Sequence, residues 1–92
     1  MADRIVLAER LDTGSAVTLA ADLSKLPTDA RVVLDASGVT HFGAQAVQVI
    51  LSAARTFHAG GGALECADCS ERAETQLAAM GLSGTRLTEV TQ

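Results

Sequence analysis

The chain has 92 residues, 48% hydrophobic and only 2% aromatic, with seven Lys and Arg against eleven Asp and Glu for a net charge of -4. Such a length supports one hydrophobic core, so residues 1–92 are read as a single domain packed from Ala, Val, Leu and Ile. The basic residues are scattered, which excludes a surface able to neutralise a run of phosphates, and with it a nucleic-acid partner.

The opening stretch, MADRIVLAER, has no apolar region behind a basic start, and no run approaches the ~20 apolar residues of a membrane span. A cytoplasmic protein without direct membrane insertion is the expectation. Ile5, Val6 and Leu7 form a short apolar run read as a buried first strand. Ala16, Leu19, Ala20, Leu23 and Leu26 then recur at helical spacing, with Asp12 or Thr13 available as cap and Pro27 as stop.

Arg31 to Asp35 (RVVLD) is a β-branched run closed by ASG, the pattern of a central strand covered on both faces. From Gly43 to about His58, Val47, Ile50, Leu51, Ala54 and Phe57 follow an i, i+3, i+4 pattern that predicts a second helix, and AGGG ends it. The glycines Gly60 to Gly62 lack the Lys-Ser/Thr ending of a phosphate loop and lead into a strand, so they read as a turn. ALEC, residues 63–66, is the third strand. The last helix is SERAETQLAAMGL: Asp68 or Ser70 caps it, Ala73, Leu77 and Met80 face inward, and Gly81 with Leu82 suits a left-handed C-terminal cap. TRLTEV supplies an edge strand. Strands alternating with helices predict an α/β fold: a four-stranded, mostly parallel sheet with about three helices and right-handed crossovers.

The strand followed by LDASGVTHFGAQAVQVIL and a helix resembles the STAS domain of bacterial anti-sigma-factor antagonists. In that family a strand ends in a D-S-S-G turn that opens the second helix. ERLDTGSAVTLAADL is similar to the family's entry into its first helix, and GGALECADCSERAETQLAAMGL to its approach to the third strand and final helix, so the resemblance covers nearly the whole chain. It implies an interaction module that binds a histidine kinase, an anti-sigma factor or a related regulator, in many members switched by phosphorylation of a serine in the turn. Carried onto this chain, the motif puts Gly43 at the aspartate, Ala44 at the first serine, Gln45 at the phosphorylated serine and Ala46 at the glycine. Gln45 has no hydroxyl to accept a phosphoryl group and carries no charge to imitate one, so this is a variant without the usual switch. Thr40 offers a hydroxyl earlier in the turn, though such a residue commonly bonds local backbone instead.

At about 100° per residue, Gln45, Gln48, Ser52 and Arg55 fall on one stripe of the second helix, roughly opposite Val47, Ile50, Leu51 and Ala54. Ala46, Val49 and Ala53 lie between them as a small apolar rim that a partner helix could approach. The expected partner face therefore joins Thr40, His41, Phe42, Gly43 and Ala44 of the turn with Gln45, Gln48, Val49, Ser52 and Arg55 of the helix. A second partner class implied by the resemblance is a membrane transport system of the lipid-transport type, in which such a domain leans on an ATPase subunit.

Cys66 and Cys69 are the only cysteines. Zinc needs four ligands, and His41 and His58 lie far from the pair in sequence, so no metal site is read and no cofactor is implied. Cys69 precedes the last helix, which leaves a thiol redox protein as an alternative, with Cys66 otherwise a buried strand residue. An enzyme is not expected: His41 beside Thr40 has no carboxylate to orient it as a base, and Asp35 at a strand end is equally a turn former.

Overall fold

The computed structural model describes residues 2–82. Its elements run β1 (Ala2–Val6), β2 (Arg10–Leu11), α1 (Thr13–Ser24), β3 (Arg31–Asp35), β4 (His41–Phe42), α2 (Ala44–Ala59), β5 (Ala63–Ala67) and α3 (Glu71–Ala79). The β-branched run of β3 is the centre of a parallel three-stranded sheet in the order β1-β3-β5, in register Ile5↔Leu34 and Leu34↔Cys66. The two-residue strands β2 and β4 pair separately, also in parallel, as Arg10↔His41 and Leu11↔Phe42. The α/β class, the three helices and the parallel pairing agree with the sequence reading. TRLTEV lies outside the described residues.

Side-chain alternation in β3 decides where the core sits. Val32 and Leu34 are buried, and Leu19, Leu23, Val47, Ile50, Phe57 and Leu77 from the three helices join them in one cluster. Val33 and Asp35, on the opposite face, are only half-buried, so the expectation of full cover on both faces is corrected. Val6, expected in the core, is 73% exposed because it pairs with Asp35 on the less covered face of the sheet, and the next residue, Leu7, is buried. Ala20 faces outward across the groove towards α2. Met80 is also exposed, as the C-cap residue that follows the last turn of α3.

Local chemistry explains the boundaries. Asp12 is the α1 cap, its Oδ1 accepting from Ser15 N at 2.9 Å, and Ser70 caps α3 by accepting from Ala73 N at 3.1 Å. Gly81, at φ 77°, closes α3 as predicted. Its N–H reaches Ala78 O at 3.0 Å and the Leu82 N–H reaches Leu77 O at 2.8 Å, the paired bonds of a Schellman ending. The AGGG turn has a packing reason: a Cβ at Gly60 or Gly62 would collide with the backbone of the Thr28–Ala30 segment.

Candidate functional site

The turn that leads into α2 is built by backbone bonds from three directions. Glu9 O accepts from Thr40 N at 2.8 Å, from His41 N at 3.2 Å and from Thr40 Oγ1 at 3.2 Å. The threonine hydroxyl is thus spent on the chain before β2, and Thr40 is half-buried. Leu11 O accepts from Gly43 N at 2.9 Å. From the far side, Gln76 of α3 donates through Nε2 to Thr40 O at 2.8 Å while its Oε1 accepts from Phe42 N. Ser70 Oγ donates to Val39 O. A single amide side chain therefore satisfies the carbonyl of Thr40, just before β4, and the N–H of Phe42 within it, as buried backbone polar groups require.

Gly43 is the pivot. It is the N-cap residue of α2 in extended conformation, φ -75° and ψ 154°, and it makes no side-chain cap bond. A Cβ built there would lie 2.5 Å from Leu11 O, nearer than van der Waals contact allows. The absence of a side chain lets β2 run directly against the helix start. An aspartate there would require β2 to move.

The expected face divides into two parts. His41, Ala44, Gln45, Gln48, Ser52 and Arg55 are exposed, and Gly43 and Val49 are half-buried. Only Gly43 separates β4 from α2, so the turn runs directly into the helix that carries the polar stripe. Phe42 is different: at 2% exposure its ring belongs to the core, and only its backbone contributes to the turn. Ala46, expected at the rim, is also wholly buried, because it lies four residues before Ile50 on the inward face of α2. Leu51 is half-buried instead of fully buried.

Beside the stripe runs an open groove of about 600 Å³ between α1 and α2. Leu23, Leu26, Val49, Ala53 and Phe57 line it with apolar surface, while Gln48, Ser52 and Thr56 stand along it on α2 and Ala20 and Ser24 on α1. The sequence reading placed Val49 and Ala53 at a shallow rim but did not supply the α1 wall. It also missed Gln76. A signal for Gln76 existed: it lies three residues after Ala73 and next to Leu77, on the inward stripe of α3, where a polar residue needs a partner.

At the sheet's C-terminal end, Asp35 Oδ1 accepts from Ser37 N at 3.0 Å and Oδ2 pairs with Arg4 at 2.7 Å. The Ser37 amide foremost, and then the guanidinium, hold this carboxylate down at about 2. Arg4 also approaches Asp68 at 3.6 Å. These contacts make Asp35 a turn former bridging β1 to the turn after β3. Cys66 and Cys69 are both free and half-buried, with Cys66 less enclosed than a core strand residue. Among the described residues no group of three or more His, Cys, Asp or Glu is gathered to hold a metal ion, and no helix is long and apolar enough to cross a membrane.

Comparison with known proteins agrees with this architecture. A search of the curated proteins finds no match. The family described as Mlab, STAS domain, matches residues 1–89, a span that takes in every element from β1 to α3. The chain belongs to the STAS domain family.

Proposed function

We propose that this chain is a non-catalytic docking module whose contact face is the turn Thr40–Ala44 together with Gln45, Gln48, Val49, Ser52 and Arg55, and that it engages its partner without serine phosphorylation. The observation that carries this reading is the start of α2. The helix is entered through a glycine held against Leu11 O, and Ala44 and Gln45 stand exposed where relatives of the antagonist type carry hydroxyls. Neither side chain has an oxygen nucleophile that could take a phosphoryl group. Thr40 is occupied by Glu9 O.

The partner is a bacterial signalling regulator of the kinase or anti-sigma-factor class. Binding is constitutive, or gated by modification of the partner. The lost acceptor equally favours a second reading, a regulatory subunit leaning on the ATPase of a lipid-type transport system, since such a partner has no need to phosphorylate the domain. Thiol redox chemistry as the primary activity has less support, because burial raises both thiols, whereas dedicated redox proteins lower the attacking one.

Pull-down from native cytoplasm tests the face. The double substitution Gln48→Glu with Arg55→Glu turns the stripe acidic and should release the partner that the unaltered chain retains. Full retention of every partner by this variant overturns the proposed face. The identity of the retained protein, a regulator or a transport ATPase, separates the two readings.

A further inference from the structure

The segment between β5 and α3 folds two sulfurs together. Cys66 Sγ and Cys69 Sγ are 3.5 Å apart, and the intervening Asp68 adopts φ 55°, a left-handed conformation uncommon for a residue with a side chain. Both ends of the segment are tied to the same residue of a neighbouring loop. Ala67 O accepts from Ala36 N at 3.0 Å, and Ala36 O accepts from Ser70 N at 3.2 Å. The sulfurs are therefore held as neighbours by backbone bonds at Ala67 and Ser70, each the residue that follows one of the cysteines.

Two products are open to such a pair. A two-coordinate soft metal ion would require both thiols to ionise in a half-buried place already bordered by carboxylates: Glu74 and Asp35 both raise Cys66, and Glu74 and Asp68 raise Cys69. A monovalent ion on two thiolates leaves a net negative group there, which burial disfavours. A disulfide is neutral and removes both titrating groups, so the surroundings favour it. We propose that Cys66 and Cys69 form a reversible intramolecular disulfide by exchange with a small-molecule disulfide.

The chemistry balances as follows. Burial raises Cys66 further than Cys69, and the Cys66 thiol stabilises the Cys69 thiolate by hydrogen bonding. Cys69 is the sulfur that ionises first. Its thiolate attacks one sulfur of an external disulfide R–S–S–R, forming a Cys69–S–S–R bond and releasing RS⁻. Cys66 then gives up its proton and attacks Cys69 Sγ, which forms the internal bond and releases the second RS⁻. Two thiol protons leave the chain, the two cysteines are oxidised, and one R–S–S–R is reduced to two RSH.

Oxidised glutathione is the probe. The reduced chain, incubated with it and analysed by intact mass and by alkylation, should lose two hydrogens, carry no glutathione and resist alkylation at both cysteines, and dithiothreitol should restore both thiols. A Cys66→Ser chain should stop at a glutathione adduct on Cys69. An unaltered chain that keeps two alkylatable thiols, accumulates a stable glutathione adduct or forms disulfide-linked dimers overturns the proposal. A Cys66→Ser chain that takes up no glutathione overturns the assigned order of attack.

Discussion

The N-termini of α2 and α3 solve the same problem in opposite ways. Each helix begins with N–H groups that have no partner within the helix. At α3, Ser70 accepts from Ala73 N and also donates to Val39 O, so one hydroxyl caps the helix and fastens it to the neighbouring loop. At α2, Gly43 supplies no side chain, and its only anchors are backbone bonds to Leu11 O and from Val47 N. One helix end is capped by a side chain and the other is not, and the uncapped one leads into the exposed stripe of α2. At Gly43 the close packing of β2 occupies the space that a side chain would need.

That contrast is sharpened most by Phe42. Its buried ring lies one residue before Gly43, and Phe42→Ala should lower unfolding stability by about 3–5 kcal/mol, measured by urea denaturation. A loss comparable with an exposed substitution would mean that the turn is not anchored in the core. Gly43→Asp comes next. The new Cβ meets Leu11 O, so a loss of about 1–3 kcal/mol is expected from overpacking, although aspartate is a good N-cap residue. A gain in stability would show that β2 yields easily and that the glycine is not needed for the close approach.

Ser70→Ala removes the α3 cap and should cost about 0.5–2 kcal/mol in the same assay. The paired change Gln48→Glu with Arg55→Glu lies on the exposed stripe and should shift stability by about 0.5 kcal/mol or less. The stripe's expected sensitivity is in partner retention alone.

A further effect appears only in acid. Asp35 has a folded value near 2 against an ordinary 3.8. A depressed carboxylate contributes stability above its unfolded value and loses it as pH falls through the folded one. Denaturation midpoints should therefore decline between about pH 4 and about pH 2, and Asp35→Asn should flatten that decline. An unchanged slope in the variant would remove Asp35 from the account.

Much of this arrangement was legible from residue order. The RVVLD strand, the spacing of Val47, Ile50, Ala54 and Phe57, and Gly81 beyond α3 each follow from local rules of burial and capping. The exposed stripe of Gln45, Gln48, Ser52 and Arg55 followed from helical periodicity. What escaped was non-local. Val6 reads like any core valine until the register sets it beside Asp35 on the less covered face, and Phe42 reads as part of a polar turn until β4 pairs with β2. The Gln76 bonds to Thr40 and Phe42 join residues more than thirty positions apart, a distance no periodicity spans. The α1 wall of the groove likewise depends on how two helices lie across one sheet face.

The most direct test of an unswitched contact face is the intact mass of the chain recovered from its own cells while still bound to its partner. An unmodified mass, with no phosphate at Thr40, Ser52 or any other hydroxyl, is the predicted result. A stoichiometric phosphate on the partner-bound chain would contradict it.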